Sequence, residues 1–221
     1  MIGKDSRRTA SAKSIAALAL VTGGGLLAMT PAWWALRWRQ PNRLDGPETL
    51  DDAVEICKRS NLAGWGLVLF AQCLVCRKFT HYSCRNLWDT PAQAFRYGMG
   101  YCTQYNLALK QILDRLDIET EAVFSLRVYV HDNPEWSMGH TWLHVTVAGE
   151  TRAVCAGRAD NLPGEVHFDP IAPVWRGNET LLFWLHLGMI PYCGFLEWRS
   201  LLTRQPLPGW MFHRNGYIES R

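Results

Sequence analysis

At 221 residues, 48% hydrophobic and 19% charged, the chain is too apolar to be disordered and has room for one ordinary domain with an appendage. The net charge of +3 is unevenly held, with seven Lys/Arg against one acid in residues 1–43 and sixteen against nineteen in residues 44–221. The body is therefore mildly acidic and has no basic patch with interleaved aromatics, so no nucleic-acid partner is expected.

No charged residue occurs between Lys13 and Arg37, and the apolar run Ser14–Leu36 carries Trp33 and Trp34 near its end. About 20 apolar residues cross a bilayer, and tryptophan suits the interface. Residues 1–40 are thus expected to be a basic segment with one transmembrane helix, giving a membrane-associated protein with a single N-terminal anchor. A cleaved signal peptide and a buried core helix are the alternatives. Basic residues flank the run almost equally (Lys4, Arg7, Arg8 and Lys13 against Arg37, Arg39 and Arg43), so charge does not set the side of the membrane.

Gln40–Pro47 has the composition of a linker and opens a helical lead-in over residues 41–84. Thr49 can cap a helix carrying Leu50, Ala53, Val54 and Cys57, with Glu48, Asp51 and Asp52 near its positive end. Gly64–Cys76 is a second apolar run, too short to span a membrane, and reads as a buried helix. Cys73, Cys76, His81 and Cys84 offer four possible zinc ligands within twelve residues, but the last gap is too short for a knuckle and the turn glycine is missing. No metal or cofactor is expected. The seven cysteines cannot all pair, which leaves at least one free thiol.

Cys102 follows the glycine-rich turn Tyr97-Gly98-Met99-Gly100-Tyr101. Beyond it Tyr105, Leu109, Ile112, Leu113 and Leu116 recur every three or four residues, which predicts an amphipathic helix ending near Asp117. In the first turn of a helix, unpaired N–H groups and the positive dipole end favour a thiolate. Ala122–Val130, Thr141–Val147, Arg152–Cys155 and Val166–Pro170 alternate as strands, with turns at Ala148-Gly149-Glu150 and Asn161–Gly164. Asn178 can cap a helix running to Gly188, with Pro191 beyond it, an apolar element of the C-terminal region 176–221 that covers the sheet. Helices, then a cysteine-led helix, then a small antiparallel sheet make an α+β layout.

A cysteine nucleophile needs a base and a group to orient that base. His140 opens a strand and Asp169 closes a later one, so neighbouring strands would bring the carboxylate to the second imidazole nitrogen. His144 lies on the same face as His140, roughly 13 Å away along a strand.

Three blocks resemble the transglutaminase-like superfamily, whose fold is related to that of papain-like cysteine proteases. They are Gly98-x-Gly100-x-Cys102 with Thr90-Pro91-Ala92-Gln93 ahead of it, His140-x-Trp142-x-x-Val145, and Asp169-Pro170. Together they cover residues 85–175. The resemblance implies a papain/transglutaminase-like core with the nucleophile helix packed on the sheet, Cys102 as nucleophile, His140 as base and Asp169 as orienter. The chain departs from the family in three places. His144 stands where a glutamate is usual, 29 residues separate His140 from Asp169, and Arg96 stands six residues before Cys102, where papain-like enzymes keep an oxyanion-hole glutamine. A tight hairpin would bring Cys155 or Asp160 to His140 instead, which makes Asp160 a rival orienter; Gln93 or Trp88 would supply the second oxyanion donor. The expected function is a thiol hydrolase or acyltransferase that acts on an amide or peptide through a Cys102 thioester. The alternatives are an arylamine acetyltransferase-like enzyme and a catalytically inactive, membrane-tethered binding module.

Overall fold

The computed structural model describes residues 24, 27–42, 46–131 and 133–214. Among them an α+β arrangement of seven helices and eight strands is built on a mainly antiparallel sheet. Helix α1 (Thr30–Leu36) is only seven residues long, begins with Pro31 in its first turn, and turns Ala32 and Leu36 inward. Among the described residues no helix is long and apolar enough to cross a membrane. The expected transmembrane anchor and membrane-associated location are corrected accordingly. Pro31 suits the start of a helix, where its missing N–H costs nothing, and disfavours one running through. Residues 1–23, 25 and 26 of the expected anchor lie outside the described residues.

Thr49 closes a capping box with Asp52 and starts α2 (Leu50–Arg59), which buries Leu50, Ala53, Val54 and Cys57. Helix α3 (Gly64–Lys78) buries Val68, Ala71, Gln72 and Val75, as the apolar run predicts. Strand β1 (His81–Ser83) follows, then α4 (Pro91–Tyr97), β2 (Met99–Gly100) and α5 (Cys102–Asp114). The long strands β3 (Glu119–Val130) and β4 (Asn133–Val147) form an antiparallel hairpin. Strand β5 (Glu150–Val154) returns along β4 after a turn in which Ala148 and Gly149 are left-handed. Strands β6 (Phe168–Pro170) and β7 (Val174–Arg176) both pair with the other edge of β3.

Helix α5 lies across β3 and β4, burying Leu109, Ile112 and Leu113 in one core with Val123, Leu143 and Val145. Burying each such side chain contributes about 1.5–3 kcal/mol. Asn178 caps α6 (Glu179–Leu187), which ends at Gly188 as predicted. Helix α7 (Ile190–Thr203) was hidden by Pro191, which reads as a stop but sits in the first turn, where proline is tolerated. It packs on α1 and is tied to the segment after β1 by a bidentate Arg85–Glu197 pair at 2.7 and 3.1 Å. Strand β8 (Phe212–Arg214) pairs with β1, which pairs with β2, so a second small sheet lies just ahead of Cys102.

Candidate functional site

The glycines of the turn before Cys102 have separate physical reasons. Gly98 caps α4 in the left-handed region (φ +66), and a Cβ there would lie 2.6 Å from the Lys78 carbonyl. At Gly100 a Cβ would lie 2.7 Å from Gln104 Oε1, which accepts the Tyr101 N–H, and 2.9 Å from the Phe79 ring. The Gln104 amide also donates to the Asn86 and Asp89 carbonyls, both at 2.9 Å, and so ties the preceding loop to the start of α5. Cys102 thus becomes the first residue of α5, 4% exposed. Burial pushes its thiol up from the ordinary value. The Thr141 N–H, the hydroxyl and N–H of Thr103, and its own N–H oppose that by steadying the thiolate.

His140 faces Ser125 across β3, and because β4 starts at Asn133 it does not open the strand. Its ring stacks on Trp142 (6.3 Å) and meets the Phe168 edge (4.5 Å). Nε2 lies 3.4 Å from Cys155 Sγ. Burial, with His167 nearby, pushes the imidazole down to about 3. Cys155 is fully buried, its thiol pushed up to about 12 by burial, and the Asn106 amide lies 3.5 Å from its sulfur. Asn106 also donates to the Thr141 carbonyl (2.6 Å) and accepts the Ala156 N–H (2.9 Å), clamping α5, β4 and the end of β5 together.

Cys102 and His140 lie on neighbouring elements: the amide after His140 is one of the groups that steady the Cys102 thiolate, and His140 shares Cys155 with a helix residue one turn beyond Cys102. Among the described residues no hydrogen bond joins Cys102 to His140. Asp169 is not brought to the pair. It lies on β6, across β3 from His140's strand, with its side chain 73% exposed and bonded to His131 Nε2 at 2.9 Å. Asp160 pairs with Arg158 (2.6 Å), Arg96 with Glu48 (3.1 Å), and Gln93 is committed to the Thr90 capping box. His144 lies beyond Trp142, opposite Glu121, on the same face as His140.

Sequence reasoning missed Thr103 and His186. His186 was concealed within an apolar run. Beside the start of α5 a cleft of about 250 Å³ is lined by Tyr101, Thr103, Gln104, Leu107, Glu179 and Thr180 among others. Among the described residues no group of three or more His, Cys, Asp or Glu is placed to hold a metal ion. No protein-family model matches this chain, and no curated protein matches it.

Proposed function

We propose that the protein is a cysteine-nucleophile hydrolase or acyltransferase of the papain/transglutaminase-like type, acting on an amide or peptide through a Cys102 thioester. The observation that carries the reading is the contact of His140 Nε2 with Cys155 Sγ, on a strand whose next amide reaches the Cys102 sulfur at the start of a helix. Cys155 takes the orienting position that the sequence resemblance gives to Asp169. With Nε2–H donated to Cys155, the Nδ1 lone pair of His140 is left to accept the Cys102 proton as sulfur attacks the carbonyl. The proton passes on to the leaving amine, and water or a second amine resolves the thioester. Both groups rest neutral at pH 7, because burial raises the thiol and lowers the imidazole. The reaction is then general-base catalysis and not attack by a preformed ion pair.

The test uses p-nitrophenyl acetate as acyl donor and maps the acetylated peptide. A hydroxylamine-labile acetyl group on Cys102 is expected, absent in Cys102→Ala and formed about 10²-fold more slowly in His140→Gln. A Cys102→Ala protein that turns over the ester like the wild type sinks the proposal. One observation favours a non-catalytic binding domain: of the two carboxylates expected to orient His140, Asp169 is bonded to His131 and Asp160 to Arg158. An unacetylated Cys102 would support that second reading.

A further inference from the structure

Thr103 follows Cys102 in the first turn of α5, and several groups compete for its hydroxyl. Oγ1 lies 2.8 Å from Thr141 Oγ1 on β4 and 3.0 Å from His186 Nε2 on α6. It is also one of the groups that steady the Cys102 thiolate. His186 is 7% exposed, with Tyr101 at 4.9 Å and Phe124 at 6.1 Å between ring centres. Its Nδ1 is bonded to the Leu182 carbonyl, and because a carbonyl can only accept, that nitrogen must carry the proton. That bond fixes the tautomer, so the proton sits on Nδ1 although Thr103 Oγ1 is 3.4 Å from it, and Nε2 can only accept. Burial lowers the imidazole's affinity for a second proton, so the ring stays neutral at pH 7. Among the described residues its ring meets Tyr101, Thr103, Phe124 and the Leu182 carbonyl, and none of these carries a charge at that pH.

A hydroxyl has one proton to give. With Nε2 as an obligate acceptor, the Thr103 proton goes to His186 while Cys102 is a thiol. A Cys102 thiolate needs the same proton, and supplying it leaves a buried nitrogen without its donor. We propose that His186 is a positioning residue that holds the Thr103 hydroxyl proton away from Cys102, so that helix α6 acts as a brake on the nucleophile of α5. The proposal rests on the reading of Cys102 as the reactive thiol.

The test is the rate of Cys102 alkylation by iodoacetamide as a function of pH, followed by peptide mapping. His186→Phe is expected to react about tenfold faster near neutral pH, with its midpoint about one pH unit lower. Thr103→Val is expected to react more slowly with a higher midpoint, and Thr103→Ser to match the wild type. The decisive variant is the double substitution His186→Phe/Thr103→Val. With no hydroxyl left to release, it should behave like Thr103→Val alone. A double variant as fast as His186→Phe would show that the gain came from loosened packing, and it overturns the brake. So does an unchanged or slower His186→Phe, or equal rates for Thr103→Val and Thr103→Ser. If His186→Phe does not fold by circular dichroism, His186→Leu replaces it. These shifts without a Cys102 acetyl-enzyme would sink acyl transfer alone, whereas an acetyl-enzyme without the shifts would sink the brake alone.

Discussion

Burial acts on His140 and Cys155 with opposite signs, lowering the imidazole to about 3 and raising the thiol to about 12, so their 3.4 Å contact is one between neutral groups. A thiol in this position fixes the ring but does little to stabilise an imidazolium. A carboxylate would do both, because opposite charges at hydrogen-bond distance favour the charged form. Cys155→Asp is therefore expected to raise the His140 pKa, measurable by nitrogen-detected NMR titration of the imidazole, and to speed Cys102 alkylation at neutral pH. An unmoved His140 titration would mean that the ring does not sense position 155. A second consequence concerns the wild type. A neutral Cys–His pair should label faster and faster as the solution becomes more alkaline, whereas a preformed ion pair would already be at its plateau near neutral pH. A plateau between pH 6 and 8 would contradict the directions of both shifts.

At the scale of elements, the start of α5 depends on backbone approaches that only glycine permits. Gly98→Ala would force a side chain into a left-handed conformation (φ +66) against the Lys78 carbonyl, at a cost of about 1–3 kcal/mol. Gly100→Ala would instead push on the Gln104 amide, which also binds the Asn86 and Asp89 carbonyls. Both variants should unfold at lower denaturant, and Gly100→Ala should also change Cys102 labelling because it moves the helix start. Wild-type midpoints in both would refute this. The same elements show what was legible in the chain. Helices α2, α3 and α6 were readable because cap residues and apolar runs mark them locally, and alternation marked β3 and β5. Strands β1, β2 and β8 are two or three residues each and exist through pairing between distant segments, which no local pattern announces. Helix α5 ends at Asp114, short of the predicted Asp117, which is itself left-handed (φ 58). At the site, Cys102 and His140 were legible from type and spacing. For the third position only the hairpin alternative, Cys155, matches what lies against His140, because β6 pairs with the far edge of β3 and carries Asp169 to His131.

At the scale of the whole molecule, two features set stability. Glu197 is buried at 3% exposure, and Arg85 is its bidentate partner, joining α7 to the segment after β1. Removing one member leaves a buried charge, so Arg85→Ala should cost about 3–5 kcal/mol in denaturant unfolding, while Arg85→Met with Glu197→Leu should recover most of it. A single-variant loss below about 1 kcal/mol would class the pair with surface bridges. The other feature is a set of buried and half-buried imidazoles. Five of the seven histidines, at 81, 140, 144, 167 and 186, are shifted down, in each case chiefly by burial. The unfolded chain protonates them near 6.5, the folded one only at lower pH, down to about 4 for His167 and about 3 for His140. The unfolded state therefore binds more protons throughout that window. The stability contributed is complete above 6.5 and is lost as pH falls through the window, by about 1.4 kcal/mol per pH unit for each proton at the more deeply buried His140, His167 and His186, and by a fraction of that at the half-exposed His81 and His144, where solvent screens the effect. Unfolding midpoints should drop steeply between pH 7 and 5, before most carboxylates titrate, and His167→Gln should make the slope shallower. Because the cause is desolvation and not charge pairing, added salt should leave the slope in place. A slope that disappears in high salt, or is unchanged in His167→Gln, would assign the acid sensitivity to surface charges instead.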